Sequence, residues 1–248
     1  MIYLNGVIIV VKMQDKDIII SQPWGGLGDN LQFSTLPELY SKMGYNVYIS
    51  SSNAFRNSEI YDLVWKLNPF VKGISDKPAN VGCEGIDVFG GSHMRNIELC
   101  NGLTNGYRKY PVVYYTPKLI PELKGCVLYD ATATSFPASD LELKASFESV
   151  FRKYPDAKTL KVNFTNIKTR DTPYFKHDLY TVNSIFDLCD AIHSCQVFVA
   201  DDSGSLVLAS ALKQDSSAPE VFSFYRPGRQ PQSAFKFDNV SQSLFIRD

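Results

Sequence analysis

The sequence predicts an α/β fold in which parallel strands alternate with helices, and two observations support this. Runs of β-branched and aromatic residues alternate along the chain with segments whose apolar residues recur at helical spacing. Several of these runs lead straight into turns rich in glycine, serine or aspartate, as is typical of strands that are followed by helices in parallel sheets. The rhythm occurs twice without a sequence repeat, so two α/β halves are expected.

The first half alternates short apolar runs with amphipathic segments. Strands are predicted at residues 7–12, 17–21, 46–50, 71–75 and 86–89. One helix is predicted to follow the strand at 17–21 and to run to Met43, with Gly44 as its C-cap. Further helices are predicted at 58–67 and 96–103. Residues 101–118 are rich in Gly, Asn, Tyr and Pro and are interpreted as the connection between the halves.

The second half repeats the alternation. Strands are predicted at 125–130, 159–164, 196–200 and 220–224. Helices are predicted at 140–153, 182–194 and 206–212. The tail, residues 225–248, is polar and has no clear period, so no element is assigned to it.

Length and composition restrict the class of protein. The chain has 248 residues, of which 44% are hydrophobic and 21% charged, as in a globular protein of one large domain or two small ones. A net charge of −1 argues against binding nucleic acid by bulk electrostatics. No membrane span or secretion signal is found, so no integral membrane contact and a cytoplasmic location are expected. The 5 Cys form no CxxC pair and are interpreted mainly as core residues, and with 3 His no metal site is predicted.

The first candidate motif is the turn at residues 25–30, with the sequence GGLGDN. It does not fit a dinucleotide-binding loop, because Leu31 occupies the third glycine position and no acidic residue ends the strand at 46–50. It does not fit a P-loop either, because no Lys-Ser/Thr pair follows. The turn presents Asp29 at the start of a helix, where the carboxylate either caps the helix or acts on a ligand.

The second motif follows the strand at 196–200 and has the sequence DDSGS at residues 201–205. Free N–H groups at Ser203, Gly204 and Ser205 begin a helix, and together with the helix dipole they suit a diphosphate. An aspartate beside a diphosphate is reasonable if it holds N–H groups in place or contacts a sugar hydroxyl. The alternative is an ordinary Asp/Ser cap on a packed helix.

Two further turns follow predicted strands. Thr132 and Thr134 lie just after the strand at 125–130, where their hydroxyls either bind phosphate or cap the next helix. His93 and Arg95 come just after the double glycine at 90–91. His93 either binds substrate or moves a proton, or it has only a structural role.

Taken together, the first two motifs resemble the ADP-heptose:lipopolysaccharide heptosyltransferase family. Residues 26–39 resemble its opening signature, a G-D-x-L turn running into a helix with an L-P pair. Residues 198–212 resemble its second signature, a strand followed by Asp-Ser/Thr-Gly and a Leu-Ala-x-Ala-Leu helix. Two positions depart from the family pattern: Val207 stands where a His is common, and the usual Lys near residues 132–139 has no counterpart.

The resemblance implies a GT-B-like fold, in which two Rossmann-like domains with parallel sheets face a cleft. Residues 1–115 would form the acceptor domain and residues 116–248 the nucleotide-sugar domain. Asp29 would be the general base. The donor would be held by Thr132, Thr134, Asp202, Ser203, Gly204 and Ser205. The acceptor side or cleft would be lined by Gly26, Gly28, Asn30, His93 and Arg95.

The function predicted on this basis is that of an inverting, metal-independent glycosyltransferase whose donor is a nucleotide-sugar and which needs no other cofactor. The acceptor is a glycan or another hydroxyl compound; lipopolysaccharide, a protein and modified DNA stay open. The alternative is a non-catalytic protein that binds a nucleotide or nucleotide-sugar on the same scaffold. An NAD-linked oxidoreductase is disfavoured by Leu31 and by the missing acidic residue.

Overall fold

The computed structural model describes residues 2–4, 7–9, 16–83, 93–103, 109–132, 139–165, 172, 175–225 and 235–246. In these ranges the predicted α/β fold with parallel sheets is confirmed. The chain begins with a two-stranded antiparallel ladder of β1 (Ile2–Leu4) and β2 (Val7–Ile9). The predicted strand at 86–89 lies outside the described residues.

The first sheet has three parallel strands in the order β3-β4-β5, which are β3 (Asp17–Ile20), β4 (Asn46–Ser50) and β5 (Val71–Ser75). Val81 makes a parallel bridge to Ile20 on the other side of β3. The helices are α1 (Leu27–Gln32), α2 (Leu36–Lys42), α3 (Ser58–Tyr61), which continues as a π-helical turn at Asp62–Lys66, and α4 (His93–Cys100). Gly44 has a φ of +88° after α2, as expected for a C-cap glycine.

The single helix predicted to reach Met43 is in fact two helices, α1 and α2, which are separated at residues 33–35. Pro37 stands at the start of α2, where the lack of a backbone N–H is tolerated. In a continuous helix, residue 37 would have to donate an N–H to the Phe33 carbonyl, which proline cannot do. Ser34, inside the break, accepts a hydrogen bond from the Val112 N–H at 2.9 Å. The break therefore ties the first half to the connecting segment.

The second sheet has six parallel strands in the order β11-β10-β9-β6-β7-β8. They are β6 (Val127–Asp130), β7 (Thr159–Phe164), β8 (Asp178–Val182), β9 (Val197–Ala200), β10 (Glu220–Tyr225) and β11 (Ser241–Leu244). Its helices are α5 (Asp140–Phe151), α6 (Ile185–Ser194) and α7 (Gly204–Lys213), preceded by a 3₁₀ turn at Pro121–Leu123. None of the helices in the described ranges is long and apolar enough to cross a membrane.

This strand order is that of a Rossmann sheet, with β6 as its first strand. The order reverses between β6 and β9, and ligands of such sheets bind at the carboxyl ends of the strands that flank this point. Asp130 ends β6, and Asp201 follows β9. The fold therefore singles out the loops after β6 and β9 as the candidate ligand site of the second half.

The two sheets share one hydrophobic core. Its members include Ile20 and Leu31 from the first half and Phe198, Leu206 and Val207 from the second. A separate aromatic cluster lies on the other face of the six-stranded sheet and contains Tyr129, Phe147, Phe175 and Phe224. Cys126, Cys189 and Cys195 are buried, in agreement with the prediction for most of the cysteines.

The connecting segment contains neither a helix nor a strand at residues 109–120, which the structure describes. Its second part is held by α6: the Lys118 N–H and the Tyr115 hydroxyl both donate to Asp190 Oδ1 at 2.9 Å, and the Ile120 N–H donates to Ser194 Oγ at 2.8 Å. Because Ser34 binds its first part, the segment is fastened to both halves.

Candidate functional site

The first turn folds the Asp29 carboxylate back onto the backbone of Gly26. Gly26 is the N-cap of α1, and its N–H donates to the carboxylate, which stands at the third helical position. Such a bond resembles half of a capping box, so Asp29 does cap its helix. A Cβ added to Gly26 would lie 2.6 Å from Asp29 Oδ2, so a side chain at this position would displace the carboxylate.

The Asp29 carboxylate is half-buried, and the loss of solvent raises its pKa above the usual value. Three neighbours work in the opposite direction: the Gly26 N–H, the Arg56 guanidinium and His93. A carboxylate with a raised pKa next to positive groups is suited to accepting a proton. Arg56 had no part in the sequence prediction, because it lies in an exposed loop without a recognisable motif.

Asn30 does not have the expected role in lining the cleft. Its side chain is fully buried, and its Oδ1 accepts hydrogen bonds from Gln22 Nε2 at 3.0 Å and from Trp65 Nε1 at 2.8 Å. Its Nδ2 donates to the Gly26 carbonyl at 2.8 Å. Since all these bonds are internal, Asn30 holds the turn in shape and has no surface for an acceptor.

At the switch point of the second sheet, a chain of hydrogen bonds joins the loops after β6 and β9. Asp130 Oδ2 accepts from Ser205 Oγ at 2.5 Å, and Ser205 Oγ lies 2.7 Å from Ser203 Oγ. Asp130 Oδ1 accepts from the Thr132 hydroxyl at 2.5 Å and from the Thr132 N–H at 2.9 Å. The Ser205 hydroxyl is thus engaged by Asp130, and the Ser203 hydroxyl bonds to Ser205 without capping its own helix.

Asp130 is buried, and burial raises the pKa of its carboxyl against the opposing hydrogen bonds from Ser205 and Thr132 and the charge of Lys161. It was not among the predicted site residues. Its position as the last residue of a strand next to the switch point could have indicated it, but only once the strand order was known. Of the other predicted donor residues, Asp202, Ser203 and Gly204 are half-buried, and Thr134 lies outside the described residues.

The two candidate turns meet at a pair of glycines. A Cβ added to Gly28 would lie 3.2 Å from Gly204 Cα, and one added to Gly204 would lie 3.1 Å from the Gly28 nitrogen. The starts of α1 and α7 therefore touch through backbone atoms, which is possible only without side chains. This contact brings the Asp29 turn and residues 203–205 together, as expected for the two sides of one site.

The two predicted residues of α4 have different surroundings. His93 is half-buried at the start of α4, and its charge lowers the pKa of Asp29. Arg95 pairs with Glu98, with Nη1 at 3.3 Å from Oε2. The Glu98 side chain is fully buried and also accepts from Thr35 Oγ1 at 3.0 Å, so the pair fastens α4 to the break between α1 and α2.

Solved structures of glycosyltransferases resemble this chain in fold. TibC of enterotoxigenic E. coli H10407, an iron-containing dodecameric glycosyltransferase, has a TM-score of 0.62 at 16% identity over 91% of this chain and 61% of its own. TibC in complex with ADP-D-beta-D-heptose has a TM-score of 0.61 at 16% identity, with coverages of 92% and 62%. A family 9 glycosyl transferase from Veillonella parvula DSM 2008 has a TM-score of 0.59 at 9% identity, with coverages of 92% and 85%.

These likenesses confirm that the chain has the fold of heptosyltransferase-like glycosyltransferases. It spans 61–62% of the length of the TibC chains. No protein-family model matches the sequence, and no curated protein does. TibC contains iron, but within the described ranges of this chain no group of three or more His, Cys, Asp or Glu side chains fits a metal ion.

Proposed function

We propose that this protein is a glycosyltransferase that moves a sugar from a nucleotide-diphosphate sugar to a hydroxyl group of an acceptor, with inversion and without a metal ion. One observation carries the proposal: the contact between Gly28 and Gly204 sets the Asp29 turn against residues 203–205. The Rossmann strand order of the second sheet supports it, because residues 203–205 then follow a strand that flanks the switch point.

In this proposal the chain is divided as the sequence suggested. Residues 1–115 form a domain that binds the acceptor, and residues 116–248 form a domain that binds the donor in a GT-B-like arrangement. The contact between Gly28 and Gly204 supports this division, because it sets the turn that carries Asp29 in the first half against the start of α7 in the second. Thr132 and Asp202 border the donor side. His93 lies on the acceptor side in this proposal.

The reaction proceeds in one displacement. Asp29 accepts the proton of the acceptor hydroxyl while the oxygen forms a bond to the anomeric carbon. The bond from that carbon to the diphosphate oxygen breaks, and the electron pair leaves with the nucleoside diphosphate. The N–H groups in the first turn of α7 and its helix dipole offset the charge that develops there. The hydrogen bond from Ser205 to Asp130 fixes this turn in place.

A second candidate function is binding of a nucleotide-sugar without transfer. It is favoured by Val207, a fully buried residue of α7 that stands where a His is common in the family the sequence resembles. A valine side chain has no group that binds a phosphate or a sugar hydroxyl by hydrogen bonds.

A panel of nucleotide-sugars tests the proposal. Thermal unfolding is measured with ADP-, UDP- and GDP-sugars, with the free nucleotides and with nicotinamide dinucleotides as comparison. A ligand at 100 times its Kd adds about 2.7 kcal/mol of stability. Stabilisation by a nucleotide-sugar, followed by release of nucleoside diphosphate with sugar transfer, is the expected result. Binding with neither transfer nor hydrolysis supports the second candidate, and stabilisation by nicotinamide dinucleotides alone overturns both.

A further inference from the structure

The loop between β4 and α3 packs against the Asp29 turn. The Arg56 N–H donates to the Gly25 carbonyl at 3.0 Å. Asn53, at the start of this loop, accepts the Gln22 N–H at 3.1 Å and donates to the Ile20 carbonyl at 3.3 Å. These hydrogen bonds, two of them made by the Asn53 side chain, hold the loop to the end of β3 and to the turn, so the fold sets the backbone position of Arg56.

The side chain of Arg56 lies over the same turn. A Cβ added to Gly25 would lie 3.3 Å from Arg56 Cγ, and one added to Gly26 would lie 3.8 Å from Arg56 Nη1 and 2.6 Å from Asp29 Oδ2. Arg56 Nη1 and Asp29 Oδ2 therefore both border the position where Gly26 lacks a side chain. Glycine at positions 25 and 26 therefore leaves room for the Arg56 side chain as well as for the Asp29 carboxylate.

We propose that Arg56 is a positioning residue, whose guanidinium acts through its charge on the Asp29 carboxylate across the Gly26 position and favours the ionised form of that carboxylate. The inference rests on the proposed role of Asp29 as the base. Arg56 itself is exposed, whereas Asp29 is half-buried, so the pair lies at the boundary between the interior and solvent. The guanidinium is always charged, which makes it a constant influence on the carboxylate.

Other charged groups also face this carboxylate. His93 approaches from α4 and, like the Arg56 guanidinium and the Gly26 N–H, lowers the pKa of Asp29, whereas burial raises it. On the α7 side, the nearest atoms to the neighbouring Gly28 belong to the uncharged residues Gly204, Val207 and Phe235. The carboxylates of Asp201 and Asp202 precede α7 on that side. The test must therefore separate the effect of Arg56 from that of His93.

The test is a titration of the Asp29 carboxyl by ¹³C NMR in the full-length protein, with the signal assigned by its loss in Asp29→Asn. Arg56→Gln moves the titration midpoint to higher pH, because the favourable positive charge is lost. Arg56→Lys keeps the midpoint close to that of the wild type. Arg152→Gln, which removes an exposed arginine from α5's end in the other half, leaves it unchanged. The same shift is expected in a His93→Gln background and diminishes in high salt.

The outcomes separate this inference from the proposed function. If Arg56→Gln titrates like the wild type, the proposed action of Arg56 on Asp29 is wrong even where Asp29→Asn abolishes transfer. If the midpoint shifts but Asp29→Asn transfers sugar normally, the action of Arg56 on Asp29 stands and the proposed base is wrong. If Arg56 acts on Asp29 and Asp29 is the base, the acid limb of the pH profile of kcat/KM moves to higher pH in Arg56→Gln. Arg56→Lys restores the wild-type profile, and a mere loss of loop structure would not give this rescue.

Discussion

The Asp29 turn and the Asp130 turn each place a carboxylate beyond a parallel strand, but they surround it differently. Asp29 is half-buried, and the charges of Arg56 and His93 lower its pKa against the effect of burial. Asp130 is buried and is bonded by the hydroxyls of Thr132 and Ser205, each at 2.5 Å. Burial raises the pKa of both carboxyls, so the pKa alone does not tell them apart. Their exposure does tell them apart: Asp29 is partly open to solvent, whereas Asp130 is buried and joins the loops after β6 and β9.

The largest expected effect comes from Asp29→Asn, which keeps the shape of the carboxylate but removes its basicity. Asparagine still accepts the Gly26 N–H, so the helix cap persists. We expect transfer to fall by about 10²–10⁴-fold, the usual contribution of a general base, with donor binding nearly unchanged. The measurement is the transfer rate together with thermal shift by the donor.

Asp187→Asn is a matched control for this variant. Asp187 is also half-buried in the first turn of a helix, and its Oδ2 accepts a backbone N–H at 3.0 Å, from Asn183. If both variants lose transfer equally, the loss reflects helix capping, and Asp29 is not distinguished from an ordinary cap. Full transfer by Asp29→Asn would rule out its role as the base.

The next largest effect is expected from Gly204→Ala, which forces the two turns apart. The new Cβ would lie 3.1 Å from the Gly28 nitrogen and 3.3 Å from Leu27 Cβ. We expect a loss of about 1–3 kcal/mol in the free energy of unfolding, as for overpacked sites. Urea unfolding measures this loss.

Gly82→Ala serves as the control for Gly204→Ala, because its Cβ would meet only the Ser21 carbonyl oxygen, at 3.8 Å. We expect this variant to stay within about 0.5 kcal/mol of the wild type. Equal stability of Gly204→Ala and Gly82→Ala would show that α1 and α7 do not touch at these glycines in solution.

A smaller, pH-dependent effect is expected from Asp130→Asn. Because the pKa of Asp130 is raised in the folded state, its contribution to stability is fully present below its unfolded pKa of about 3.9. That contribution is lost as the pH rises through the folded-state value. Asparagine does not ionise, so the stability of the wild type relative to Asp130→Asn should decline as the pH rises from about 4. Urea unfolding across this range measures the decline.

Asp17→Asn is a control for which the stability difference from the wild type should change with pH in the opposite direction. Bonds from Lys77 and Asn46 lower the pKa of Asp17, so its contribution is present at neutral pH and is lost as the pH falls. If the difference in the free energy of unfolding between the wild type and Asp130→Asn is the same at every pH, the raised pKa of the buried Asp130 is wrong.

The smallest effect is expected from Thr132→Val, which removes one hydroxyl donor to Asp130 and leaves the backbone N–H. A hydrogen bond of this kind contributes about 1 kcal/mol, and Thr132 is only half-buried. Thr132→Ser keeps the hydroxyl and is the matched control. Thermal unfolding measures both variants; if they are equally stable, the hydroxyl bond to Asp130 contributes nothing.

Some elements of this fold could be predicted from the sequence and others could not. Central strands such as β4 and β9 were predicted from their apolar runs, because they are covered on both sides. The strands β8 and β11 were missed, and they are the two edges of the six-stranded sheet. Edge strands expose much of their length and carry polar residues, so the hydrophobic pattern that signals a strand is weak there.

The same reasoning applies to the site. Asp29 and residues 202–205 belong to local motifs, so short-range patterns were enough to indicate them. Arg56 and Asp130 gain significance only from neighbours that the fold brings to them, across a loop in one case and between two strands in the other. Asn30 shows the opposite error, since it stands inside the motif but its side chain points into the protein.

The shared core has a consequence for how the chain unfolds. Leu31 of the first half and Leu206 of the second are both fully buried in one continuous cluster, so neither half keeps its apolar surface covered when the other opens. The chain is therefore expected to lose its structure as one cooperative unit. A nucleotide bound only to the second sheet would then protect the backbone amides of the first from hydrogen exchange as well, which links the two halves energetically without any change of shape.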